Sequence, residues 1–149
     1  MRAAGLLLLA GAAVAQAPSY QPVGSVAQIM LSMSYPLSDA LLYIERDPPK
    51  TDHDWTSMQY TALMLAESGN LLMMPRLGVP NKDPEGWVRD CKLLVEAGSA
   101  AYKAARAKDL NGILALNDQI VNSCVTCHAD FRPHYRRPPR NPPPSPPAQ

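Results

Sequence analysis

Near its C-terminal end the chain reads "SCVTCHADFR", from Ser123 to Arg132. Cys124, Cys127 and His128 stand at positions i, i+3 and i+4, which share one face of a helix. Two thiols at this spacing can add to the two vinyl groups of a haem, and the imidazole beside the second thiol can reach the iron. Cys-x-x-Cys-His is the attachment signature of haem c. Two other uses draw on the same residues. A zinc site wants four ligands. Cys124, Cys127 and His128 would need Cys91, His53 or His134 to complete it, and no second ligand pair of the usual spacing is present. A redox pair of the thioredoxin kind belongs beside a βαβ pattern, and the chain has none. The trio therefore points to one covalently bound haem c per chain. A zinc-bound or disulfide-stapled structural bundle is the remaining alternative.

The residues that must position this trio have helical rhythm. Aromatics are scarce, and the apolar residues are mostly Ala, Leu and Met, which lose little rotamer freedom in helices. Val26, Met30, Met33, Leu37, Ala40 and Ile44 recur every three or four residues, the seam of a helix packed in a bundle. Pro36 lies inside that helix and should kink it about one turn earlier, near Ser32. A second seam runs through Trp55, Met58, Ala62, Leu65, Gly69 and Leu72, behind a capping box of Thr51 and Asp54. Gly69 marks either a close approach to a neighbour or a frayed end. Asp83 can cap a third helix with Pro84 in its first turn. Trp87, Cys91, Leu94, Gly98, Ala101 and Ala105 form its apolar face. Leu110, Ile113, Asn117, Ile120, Cys124 and Cys127 give the inward stripe of a fourth helix, stopped by Pro133. Four helices with short links predict an all-α, antiparallel up-down-up-down four-helix bundle.

Three regions follow. Residues 1–17, with Arg2 before an apolar run ending in Ala15-Gln16-Ala17, read as a signal peptide cleaved after Ala17. The run is shorter than the roughly 20 apolar residues a membrane span needs. Residues 18–132 hold the bundle, and residues 133–149, rich in Pro and Arg, read as a disordered tail. The mature chain is thus expected in the periplasm with no membrane span. Arg132, Arg136, Arg137 and Arg140 all follow Asp130, the last acidic residue. The body carries no basic patch interleaved with aromatics, so nucleic acid is not an expected partner. Cys91, the odd cysteine, reads as a small buried side chain on the third helix. His53 and His134 read as surface residues, Trp55 and Trp87 as core anchors, and Tyr102 as either lining the haem or simply packing.

The layout resembles the class II c-type cytochromes, which include cytochrome c-prime. "CVTCHADFR" carries Phe131 and Arg132 after the histidine, where that family has an aromatic and then an arginine. "AAYKAARAKDLNGILALNDQIVNSC" is similar to the family's passage from third to fourth helix. The Pro-rich tail and Pro36 depart from the pattern, and Val26 stands where the family usually has an arginine. The resemblance implies a haem inside one end of the bundle, with His128 as proximal iron ligand and the first helix over the opposite haem face. Met30 aligns with the methionine that fills the sixth iron position in low-spin members. Met33 lies one turn along and is the runner-up. The family also implies a homodimer through its first two helices.

These readings converge on a monohaem c-type cytochrome that passes electrons to redox partner proteins. His/Met ligation raises the reduction potential and suits outer-sphere transfer. An open sixth position would instead suit binding of nitric oxide or carbon monoxide. The chain shows no Ser-His-Asp set, no paired carboxylates and no phosphate loop, so it does not read as an enzyme.

Overall fold

The computed structural model describes residues 20–132. The predicted signal peptide, His134 and the Pro/Arg-rich tail lie outside the described residues. The described chain is all-α, with four helical segments and no strand among the described residues.

The first segment has three parts: α1 (Val26–Ile29), a π-helical turn (Met30–Ser34) and α2 (Tyr35–Leu42). Ser25 opens it with a capping box: its hydroxyl accepts from the Gln28 amide, and the Gln28 side chain accepts from the Ser25 amide. Pro36 lacks an amide hydrogen to continue the helical ladder. The chain absorbs that fault ahead of the proline. The Tyr35 amide donates to the Met30 carbonyl, five residues back. The predicted kink near Ser32 is therefore a π-turn that spans Ser32. It also rotates the side chains that follow. Ser34, Ser38, Leu41 and Ile44 are buried, and Ala40, predicted on the seam, is exposed. One residue inserted into the turn shifts every later position by about 100° around the axis.

A short 3-10 turn (Ile44–Arg46) leads to α3 (Asp52–Met73). Its capping box forms as the sequence indicates: the Asp54 amide donates to the Thr51 hydroxyl at 3.1 Å, and the Asp54 carboxylate accepts from the Thr51 amide at 2.9 Å. Hydrogen bonds from the Lys50 and Thr51 amides hold the Asp54 carboxyl below its usual range. Next, α4 (Pro84–Arg106) starts at Asp83, whose carboxylate accepts from the Gly86 amide at 2.9 Å.

Among the described residues, α3 and α4 share the most extensive interface. Two glycines allow it. A Cβ on Gly98 would stand 2.5 Å from the Ala66 backbone nitrogen, and one on Gly69 would meet Val95 Cγ2 at 2.7 Å. Gly69 thus marks a close helix approach. Leu65, Leu72, Leu94, Ala97 and Ala101 fill the core beside it.

The fourth segment is broken in two. α5 (Leu110–Leu114) is capped by Asp109, and α6 (Asn117–Phe131) follows after Ala115 and Leu116. The buried Ile113 and Ile120 pin both pieces to the same core.

Contacts between segment ends fix their placement. The Val26 amide donates to the Leu77 carbonyl at 2.9 Å, and the Arg76 guanidinium donates to the Gly24 carbonyl at 3.1 Å. The Trp87 indole N–H donates to the Leu72 carbonyl at 2.9 Å. Its ring meets Phe131 edge-on, with centroids 5.3 Å apart. These contacts gather the start of α1, the end of α3, the start of α4 and the end of α6. Lys108 reaches Asp52 at 2.6 Å, tying the link after α4 to the start of α3.

Candidate functional site

Cys124, Cys127 and His128 occupy the last two turns of α6. Helical geometry places them within an arc of about 100°. Cys127 is buried, and Cys124 and His128 are half-buried. The predicted inward stripe thus holds for Cys127 and only partly for Cys124, whose sulfur lies 4.0 Å from the Ser123 hydroxyl. One turn beyond, Phe131 packs on Trp87.

Burial of the His128 imidazole lowers its pKa below the ordinary value of 6.5, and the nearby Arg132 charge adds to the effect. The ring is therefore neutral at neutral pH, the form that can ligate a metal.

Cys91 is the small buried side chain on α4 that the sequence indicates, and it has a neighbour the sequence did not show. It is 2 % exposed, faces α6 from α4, and its thiol hydrogen-bonds the Cys127 thiol. Cys91 is the donor. Its own pKa is pushed well up by this bond and by burial, so Cys127 is the first of the pair to ionise. Burial and the carboxylates of Asp90 and Asp130 oppose that ionisation.

Asp90 is a residue that sequence reasoning missed. It is buried one position before Cys91 on α4. One oxygen accepts from Arg89 at 3.0 Å, and the other has no hydrogen-bond partner. The signal was present in the sequence, since Asp90 follows Trp87 by three positions on the apolar face of α4. Arg89 also reaches Asp130 on α6 at 3.2 Å.

Met30 is half-buried and packs against the core with Val26, Ile29 and Leu37. Met33 is also half-buried, one turn further along. The π-turn begins at Met30, whose carbonyl accepts the five-residue hydrogen bond. His53 is exposed, as expected, while Trp87 is buried and Trp55 packs on the core edge. Tyr102 packs against the core near the far end of α4, with the Arg106 guanidinium 5.9 Å from its ring centre.

The donor set fits a haem c by its chemistry: two thiols one turn apart, an adjacent neutral imidazole, and an apolar flank of Trp87 and Phe131. The fit to zinc is poorer. Among the described residues, no three His, Cys, Asp or Glu side chains gather in an arrangement that could hold a metal ion. A cleft of about 260 Å³ lies between Asp47 and Thr61, at the opposite end of α3 from Leu72, and has no thiol or imidazole in its walls. No helix of the described residues is long and apolar enough to cross a membrane. No family model, curated protein or solved structure matches this chain.

Proposed function

We propose that the protein is a monohaem c-type cytochrome that transfers electrons, built as an antiparallel up-down-up-down four-helix bundle. The observation that carries this reading is the level at which the donors sit. α1 begins, and α6 ends, at the same end of the molecule. Met30 lies four residues after the start of α1, and His128 three residues before the end of α6. At 1.5 Å per residue both stand about 5 Å in from that end. The gathered helix ends likewise support the antiparallel order.

When bound, a haem would supply one-electron iron chemistry. The chain's own residues divide the remaining work. Cys124 and Cys127 would hold the group through thioethers on α6. The Cys91 hydrogen bond favours the Cys127 thiolate, the nucleophilic form of that sulfur. His128 offers a neutral ring nitrogen to the iron. Met30 brings a soft thioether sulfur from the first segment, with Met33 as the alternative donor. Trp87, Phe131 and Leu37 keep water away. The partners on this reading are redox proteins.

A visible spectrum of full-length protein made with haem-attachment machinery tests the reading. A six-coordinate low-spin spectrum is expected, with the colour retained by the denatured chain in acidified organic solvent. A five-coordinate high-spin spectrum would replace electron transfer with gas binding. Loss of all haem to the solvent would overturn covalent attachment.

A further inference from the structure

The third cysteine has no part in a two-thioether attachment, yet it is the one that touches the site. α4 and α6 run past each other in opposite directions. Trp87 faces Phe131 across this interface, with centroids 5.3 Å apart. One helical turn forward along α4 from Trp87 is Cys91. One turn back along α6 from Phe131 is Cys127. The register of the ring pair therefore sets these two residues opposite one another. Both lie in the same buried cluster, at 2 % and 7 % exposure, and their thiols are hydrogen-bonded.

We propose that Cys91 and Cys127 close into a disulfide in the haem-free protein, and that this bond withholds Cys127 from thioether attachment until it is reduced. The second half rests on the haem reading; the first half does not. The route needs an oxidant, and a small-molecule disulfide suffices. Cys124, the most accessible of the three thiols, exchanges first. It forms a mixed disulfide and releases one small thiol. Cys127, one turn away, attacks the Cys124 sulfur and releases the second small thiol. Cys91 then attacks Cys127, and the bond transfers to the buried pair as Cys124 leaves as a thiol. Each attacking thiol gives its proton to the leaving sulfur. In sum, two protein thiols are oxidised and one small disulfide is reduced to two thiols. The transfer is favoured because the final bond is buried from reductants and joins two helices. A bond between Cys124 and Cys127 would close only one helical turn, and longer loops gain more from closure.

The test uses the full chain, haem-free, purified reduced and then equilibrated with oxidised and reduced glutathione. Alkylation and non-reducing peptide mapping should find one free thiol, at Cys124, and a cross-link between Cys91 and Cys127. A Cys124–Cys127 bond or three free thiols would overturn the proposal. Ferrous haem is then added to the oxidised protein with no thiol present. Wild type should gain one thioether, at Cys124. Cys91→Ala leaves only the Cys124–Cys127 bond to form and should gain none. Fully reduced wild type should gain two. If the oxidised wild type also gains two, the withholding is disproved. If the reduced protein gains none, the haem reading fails while the mapped cross-link stands.

Discussion

The Ser34 hydroxyl donates to the Ser68 hydroxyl across 3.0 Å, with both residues buried. The bond joins the π-turn to the C-terminal third of α3. The Ser68 hydroxyl donates in turn to the Leu65 carbonyl at 2.7 Å, so the chain of donors is complete. Removing either end should have unequal effects. Ser34→Ala leaves Ser68 with its donor still used, at a cost of about 1 kcal/mol. Ser68→Ala strips the buried Ser34 hydroxyl of its acceptor and should cost roughly 1–3 kcal/mol. Urea unfolding of the two single variants and the double variant gives the coupling between them. Equal costs with no coupling would show that the bond contributes nothing.

Gly98→Ala should weaken the protein although alanine is the better helix former. The added methyl would meet Ala66 backbone atoms at 2.5 and 2.8 Å, and backbone cannot turn aside as a side chain can. Overpacking of this kind costs roughly 1–3 kcal/mol, against a helix gain of about 1 kcal/mol. A lowered urea midpoint is expected, and an unchanged or raised one would mean that α3 and α4 separate easily.

His128 makes the haem-free protein acid-sensitive. Its folded pKa lies below the ordinary 6.5 because of burial and Arg132. As pH falls through 6.5 the unfolded chain takes up a proton that the folded chain does not, so stability is lost. The loss should begin near pH 6.5 and level off below the folded value. His128→Gln should flatten that portion of a stability-against-pH curve. A curve of unchanged slope in the variant would assign the acid sensitivity to another group.

Met30→Ala should turn a low-spin holoprotein high-spin and open it to carbon monoxide, while Met33→Ala should leave the spectrum as it was. Should Met33→Ala alone open the iron, the first segment is the ligand-bearing one and the methionine has been misassigned. If wild type binds carbon monoxide at once, neither side chain holds the sixth position.

Much of the fold was legible because its signals are local. The Thr51–Asp54 capping box, Asp83 before Pro84, and the seams of α3 and α4 each depend on residues within a turn of one another. The π-turn was half legible. Pro36 announces a fault in the ladder, but whether the chain kinks or inserts a residue depends on what packs against it. The buried Ser34–Ser68 pair fits the inserted form. The gap at Ala115 and Leu116 carries no proline or glycine to betray it. At the site, the spacing of Cys124, Cys127 and His128 could be read directly. The approach of Cys91 to Cys127 could not, since the periodicity of one helix says nothing about its offset against another.

The glycine contact between α3 and α4 divides the molecule mechanically. At Gly98 backbone lies against the Ala66 backbone, with no side chain between that could change rotamer. None of the proposed iron or thioether donors belongs to that pair: Met30 is carried by the first segment, and Cys124, Cys127 and His128 by α6. Those outer helices lean on the pair through side chains such as Leu41, Ile120 and Phe131, which can repack. A flat guest entering between them would be met by two movable walls and one stiff spine. Amide exchange should therefore be slowest along the spine with or without the guest, and the cost of making room should be borne by the walls.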